Sequence, residues 1–309
     1  MKVIMLSTID YAGSGYKTFH AIKRHTDIDI NLFTGKPDNN LKHPIHNLVV
    51  SSNRPAVQGL VNEADILHFK GDWPPVDGYL GLAIPDKPII ITVSGSFFRK
   101  KEHGGLGAYS WVDYTRATLK TSFETDLLYP EYSDIWTPHP IDSDEKPNIW
   151  EPKERPLFLH IPSTAARKGT VFVQKVFDVL KQLIDCDAQI IQGVDFQTSL
   201  ELKKKCTVYF DQFMVGFYGN SALEAMQWGI PVVNWLSPMA IKQGKGQLNG
   251  CPILNQDQSD PYETAKQVIL KLRDGNKWSM ETKTWCDNIH GYKSIAKKWK
   301  RIYEHLFKG

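Results

Sequence analysis

A chain of 309 residues that is 41% hydrophobic and 23% charged has the makeup of a soluble globular protein, and its length suits two domains of about 150 residues each. The formal net charge of +3 is too small to demand a nucleic-acid or membrane partner, and it excludes neither. No apolar run approaches the roughly 18 to 20 residues that cross a bilayer, so membrane contact is expected to be peripheral.

The chain opens on KVIMLST (2–8), an apolar run that predicts a strand and lacks the charged-then-apolar layout of a signal peptide. A turn, IDYAGSG, leads to YKTFHAIKRH (16–25), apolar at helical spacing, and then to the strand IDINLFTG (28–35), so the chain begins as a βαβ unit. HNLVVSS (46–52), a helix around 56–64, DILHFKG (65–71) and the β-branched PIIITVSG (88–95) continue the alternation. Near-continuous apolar strands separated by helices predict a parallel sheet covered on both faces. The stretch 133–156, rich in proline and charge, breaks every periodic pattern and reads as the linker. A second α/β unit follows: strand 157–163, helix 170–183, strands 188–194 and 207–213, the helix inside FYGNSALEAMQWGIPVVNW (217–235), strand 231–236 and closing helices. The expected class is α/β, two Rossmann-like domains with parallel sheets facing across a cleft. Their expected spans are 1–145 and 146–290, with a final helix over 291–309. Ligands of such sheets sit outside the carboxyl ends of the strands. Cys186, Cys206, Cys251 and Cys286 form no C-x-x-C pair, which predicts reduced thiols and a cytoplasmic location.

Two loops of the second half carry chemistry. In FYGNSALEAM, Ser221 and Glu224 form S-x-x-E, the pattern in which a hydroxyl and a carboxylate cap a helix start reciprocally. The small-residue turn Tyr218, Gly219, Asn220 ahead of it leaves backbone N–H groups able to face an anion, and a carboxylate beside such a site accepts hydrogen bonds from a ribose. Arg167 and Lys168 ahead of Gly169, at a strand-to-helix turn, suit a diphosphate; a solvated basic turn is the plainer reading of the same residues. No D-x-D stands where it would clamp a diphosphate through Mg²⁺: DIDI (27–30) lies in a predicted strand, DCD (185–187) in a turn and DSD (142–144) in the linker. No metal and no cofactor are expected.

HIPSTAARKGT (160–170) followed by DQFMVGFYGNSALEAMQWGIPVV (211–233) resembles the C-terminal half of retaining, family-4-like glycosyltransferases of the GT-B fold, whose pattern is a K-G-T loop and then E-A-M-x-x-G-x-P-V-V. HGYKSIAKKWKRIYEHLF (290–307) is similar to that family's last helices, which usually cross back to the N-terminal domain. The resemblance covers residues 155–309 well and the first half in outline. It implies a hexosyl- or pentosyltransferase that moves a sugar from a nucleotide diphosphate sugar, as co-substrate, to an acceptor hydroxyl with retention. The first domain would then be the acceptor side, the second the nucleotide-sugar side, and the final helix would pack back on the first. Lys168, with Arg167 beside it, would neutralise the diphosphate, Glu224 would contact the ribose, and Gly169 with Tyr218, Gly219, Asn220 and Ser221 would line phosphate or sugar. Relatives often carry a further Glu, touching the sugar, at the position held here by Gly216.

DYAGSGY (10–16) resembles the family's glycine-rich loop, with Gly13, Ser14 and Gly15 approaching donor and acceptor; as a dinucleotide signature it fails, because the third glycine position is Thr18, and a dehydrogenase is disfavoured. TVSGSFFRKKEHGG (92–105) occupies the place of the family's H-G-x-x-x-R, with Ser94 for the His while Gly95 and Arg99 remain. His103 or His68 would fill in for the lost imidazole, although His68 also reads as a strand-end packing residue and His139 as a linker residue. The acceptor is read as a glycan or lipid-linked saccharide, or as DNA bearing hydroxymethylated bases, since Arg99–Lys101, Lys203–Lys205 and Lys297–Arg301 form basic clusters. A binding protein that holds a nucleotide sugar without turnover is the alternative. Oligomeric state is left open.

Overall fold

A computed structural model describes residues 1–36, 48–70, 78–95, 115–128, 133–244 and 246–308, with Tyr11, Leu48 and Val49 described by backbone alone. The chain divides into two compact units, one comprising Met1–Pro140 and Gly291–Gly309, the other Ile141–His290.

The first unit runs β1 (Lys2–Ile9), α1 (Ser14–His25), β2 (Asp29–Lys36), β3 (Leu48–Val49), α2 (Arg54–Glu63), β4 (Ile66–Lys70), β5 (Ile89–Val93), β6 (Leu119–Ser122) and β7 (Ile135–Trp136), and takes back the chain's final helix, α10 (Tyr292–Lys308). Its strands form one parallel sheet in the order β3-β2-β1-β4-β5-β6-β7. Alternate residues of β1 serve opposite faces, as strand geometry requires. Val3 and Met5 pack with Ala21 and Ile22 of α1 and with Ile295 and Trp299 of α10, whereas Ile4 and Leu6 pack with Val57 and Val61 of α2. Both faces being covered explains why the strand is apolar throughout. α10 docks by a stripe at helical spacing, Ile295, Trp299 and Tyr303 fully buried, against α1.

His68 is one of the residues this packing consumes. It is 0% exposed; its Nδ1 lies 2.7 Å from the Tyr303 hydroxyl, its Nε2 2.7 Å from Thr92 Oγ1, and its ring packs 4.6 Å from that of Trp299. The expected sugar or acceptor contact is therefore a core residue, and the packing reading holds. Burial pushes its pKa down to about 3. His160, at the end of the first strand of the second unit, is pushed down to about 4 by burial as well. Both histidines are neutral in the fold, while the unfolded chain protonates them below about pH 6.5. Between those values the unfolded state binds more protons, so stability is complete above about pH 6.5 and declines as pH falls toward 4. The urea midpoint is expected to drop over that range, and H68N to flatten the slope.

The stretch 133–156 is not a plain linker. Ile135–Trp136 is one of the sheet's two edge strands, Trp136 Nε1 donates to the Phe123 carbonyl at 2.9 Å, and the unit boundary falls at Pro140. His139 is buried, stacked on Phe123 at 4.6 Å, with Nε2 3.4 Å from Glu124 Oε1, which corrects its reading as a linker residue.

The second unit runs β8 (Leu157–His160), α3 (Ala165–Lys168), α4 (Thr170–Leu183), β9 (Asp187–Ile190), α5 (Phe196–Lys205), β10 (Val208–Phe210), α6 (Asn220–Met226), β11 (Val232–Asn234), α7 (Pro238–Gln243), β12 (Leu254–Asn255), α8 (Pro261–Leu272) and α9 (Gly275–His290). Its sheet is parallel, in the order β12-β11-β10-β8-β9. Phe172, Val176 and Phe177 of α4 pack on Phe158, Val208 and Phe210 of the central strands. Both sheets are doubly wound, and each has one place where the strand order reverses: between β1 and β4 in the first unit, between β8 and β10 in the second. Beyond the carboxyl ends of the strands at such a point the loops diverge and leave a crevice.

Candidate functional site

In the second unit the reversal point is spanned by a buried ion pair. The chain leaving β8 turns through α3, where Lys168 is the last helical residue, and the chain leaving β10 begins with Asp211. Lys168 Nζ donates to Asp211 Oδ1 at 2.6 Å; the lysine side chain is 13% exposed and the carboxylate 0%. Asp211 Oδ2 accepts from the Gly219 amide at 3.0 Å, so one carboxylate ties the K-G-T loop to the turn ahead of α6. A backbone bond from Phe213 N to the Lys168 carbonyl, 3.2 Å, closes the same junction. Gly169 is required there: its φ is +71° and a Cβ would lie 3.0 Å from that of Phe213. His160, at the end of β8, bonds the Phe210 carbonyl through Nδ1 at 2.8 Å and Thr170 Oγ1 through Nε2 at 3.0 Å, bracing the loop from below.

The two loops singled out in the sequence thus meet, with Lys168 Nζ 3.6 Å from where a Gly219 Cβ would stand. Gly219 is the N-cap of α6, so Ser221 is the second helical residue and cannot cap. The capping-box reading fails for that reason. Ser221 Oγ bonds instead to the Tyr209 hydroxyl at 2.6 Å, and Glu224 Oε2 accepts from Lys203 Nζ at 2.6 Å, a pair with side chains 1% and 9% exposed. Lys203 also lies 5.2 Å over the Tyr209 ring. Tyr218 turns its side chain inward, bonding His290 Nε2 at 2.9 Å and stacking on Phe217, so only its backbone is available to a ligand. The Asn220 carboxamide oxygen is buried with no hydrogen-bond partner among the described residues, a state that a ligand hydroxyl would relieve. Arg167 is exposed beside this junction.

Gly216, where relatives often carry a carboxylate, has φ +78°, and a Cβ there would come within 2.8 Å of Ser237 Cβ. The backbone has been shaped for glycine, and a side chain is excluded rather than merely missing. G216A is expected to destabilise by about 1–2 kcal/mol or more, measured by chemical denaturation.

The reversal point of the first unit is spanned by a matching pair. Asp10 Oδ1 accepts from Lys70 Nζ at 2.6 Å, with side chains 7% and 3% exposed, and the same carboxylate takes the amides of Gly15 and Tyr16, each at 2.7 Å. Gly13, Ser14 and Gly15 sit at the start of α1, and the Gly15 amide donates to Asp10. A Cβ at Gly15 would lie 2.9 Å from Asp10 Oδ1 and 3.1 Å from Lys70 Cδ, so an internal ion pair accounts for the glycine. Ser94 is half-buried past the end of β5, next to Gly95, whose amide donates to Glu124 Oε1 at 3.2 Å. Arg99 and His103 lie outside the described residues.

Asp211, Lys203 and Tyr209 complete this arrangement, and sequence reasoning passed over all three. Asp211 had a signal, an acidic residue at the carboxyl end of the apolar run TVYF. Lys203 had a misleading one, since its neighbours Lys204 and Lys205 made it look like part of a surface cluster. Among the described residues no group of three or more His, Cys, Asp or Glu is placed to hold a metal ion.

No protein-family model matches the chain, and no curated protein matches it in sequence. Solved structures do match in fold. Sucrose-phosphate synthase from Thermosynechococcus elongatus aligns over 100% of both chains at 12% identity with a TM-score of 0.61. Anabaena HepE in complex with UDP-glucose aligns over 99% of this chain and 100% of its own at 11% identity and a TM-score of 0.64. An alpha-glucosyltransferase in complex with UDP and a 13-mer DNA aligns over 99% of each chain at 13% identity and a TM-score of 0.61. Two all-parallel, doubly wound units and these full-length matches establish that the chain has the two-Rossmann GT-B fold on which those glycosyltransferases are built.

Proposed function

We propose that the chain is a glycosyltransferase that moves a sugar from a nucleoside diphosphate sugar to an acceptor hydroxyl with retention and without a metal ion. The observation that carries this reading is the convergence of Lys168 with the Gly219 turn at the strand-order reversal of the second sheet. There Lys168, with Arg167 beside it, would meet the charge of the departing diphosphate by electrostatic stabilisation. Glu224 would accept hydrogen bonds from the ribose. As the bond from the anomeric carbon to the diphosphate breaks, the acceptor oxygen attacks on the same face and its proton passes to a phosphate oxygen. No carboxylate of the enzyme becomes a nucleophile.

For the acceptor we favour a saccharide, free or lipid-linked, over hydroxymethylated DNA. The basic residues that suggested a polyanion are partly engaged within the chain: Lys203 is buried on Glu224, while Lys204 pairs with Glu201 and Lys300 with Asp27 at the surface. We place the protein in the cytoplasm, in keeping with four cysteines that are all free; no described helix is long and apolar enough to cross a membrane. Release of nucleoside diphosphate from a panel of UDP-, GDP-, ADP- and dTDP-sugars, with saccharide and DNA acceptors and with EDTA present, tests the reading. Turnover that survives EDTA supports it, and silence across the panel contradicts it. DNA as acceptor would show itself by activity that falls steeply with salt. A second reading, a nucleotide-sugar binding protein without turnover, is favoured by the glycine-only backbone at Gly216, and binding without release would select it.

A further inference from the structure

We propose that Asp211 is a positioning residue for the diphosphate ligand Lys168, fixing where the ammonium stands and thereby how tightly a diphosphate is held; this rests on the reading of the site given above. Asp211 is the first residue past β10, is 0% exposed, and has each carboxylate oxygen committed, one to Lys168 Nζ at 2.6 Å and one to the Gly219 amide at 3.0 Å. An ammonium carries three protons on a flexible stem, so a free lysine at the end of α3 would sample many positions. With one proton anchored on Asp211, the stem is fixed and two protons remain for an anion beside the turn. The second oxygen holds Gly219 at the same place, so the cation and the turn are set by a single rigid group.

The matching pair in the first unit is more closely enclosed at its lysine. Asp10 and Lys70 are buried to 7% and 3% exposure, and the carboxylate takes two helix amides besides the lysine. Lys168, by contrast, keeps 13% of its side chain exposed while its carboxylate has none. The second pair has an open side and that side is the lysine.

Asparagine at 211 is the discriminating substitution. Lys168 and the Gly219 amide meet different oxygens of Asp211, so an asparagine in the same place turns a donating amino group to one of them and also removes the charge that anchors the ammonium. Calorimetric titration of wild type, D211N, K168M and the double variant uses whichever of UDP, GDP, ADP and dTDP binds most tightly, alongside its nucleoside. D211N is expected to weaken the diphosphate by about tenfold or more, the loss of a charge-assisted contact. Nucleoside affinity should stay unchanged, and D211N should add no further loss in the K168M background. Equal weakening of diphosphate and nucleoside would mean a merely structural role and overturn the proposal. So would unchanged or tighter diphosphate binding by D211N while K168M weakens it, the tighter case marking Asp211 as a competitor of the ligand. Should K168M itself leave diphosphate affinity untouched, the reading of the site fails and the proposal with it. If D211N does not fold, the ¹⁵N resonance of the Lys168 ammonium in the wild-type protein decides: visible and protected from exchange before nucleotide is added if Asp211 anchors it, averaged with solvent if it does not.

Discussion

K168M is expected to lower kcat/KM for sugar transfer by roughly 10²–10³-fold, the usual cost of removing one fixed donor from a site where negative charge develops. The substitution also strands a fully buried carboxylate, because Asp211 loses the ammonium 2.6 Å away. Breaking a buried pair on one side costs about 3–5 kcal/mol, so a fall in activity alone would not separate catalysis from folding. The double variant K168M/D211N separates them. With both charges gone the stability should largely return, while the catalytic loss should persist, because the diphosphate still lacks its cation. Denaturation midpoints and initial rates on the same preparations read the two effects independently.

A second large effect on stability is expected from the other buried pair of this unit, whose carboxylate is also the proposed ribose contact. K203M leaves Glu224, 9% exposed at the side chain, without the ammonium at 2.6 Å, and should destabilise by about 3–5 kcal/mol. Tyr209, whose ring Lys203 covers at 5.2 Å, loses that contact as well. Adding E224Q removes the stranded charge and should restore most of the stability in guanidinium denaturation. If K203M were neutral, Glu224 would have to be satisfied elsewhere and the pair would be incidental.

Such pairs explain which parts of the molecule the sequence disclosed. Elements whose burial is apolar were legible: PIIITVSG and KVIMLST are strands because β-branched and aliphatic residues cover both faces, and α10 announces its stripe through Ile295, Trp299 and Tyr303. β6 and β7 were not, since LKTS and a two-residue IW carry no period. Their burial is partly polar, with Thr92, Thr121 and Thr137 linked hydroxyl to hydroxyl. The site was legible in its loops and not in its wiring. Lys168 and the Gly219 turn stood out by motif, but their common partner Asp211 acts across 43 residues in one direction, a distance at which local pattern carries no information. S-x-x-E was a true pattern with a different use: α6 begins two residues too early for Ser221 to cap it, and the freed side chains go to Tyr209 and Lys203. The glycine-rich turn after β1 has wiring of the same kind, with Gly15 packed against Asp10 and Lys70.

The most direct measurement is a crystal structure of the chain grown with the nucleoside diphosphate that binds it best. The account predicts the diphosphate beyond the carboxyl ends of β8 and β10, within hydrogen-bond reach of Lys168 Nζ, and the ribose hydroxyls on Glu224. A diphosphate bound at any other place, with Lys168 still turned wholly to Asp211, would contradict it.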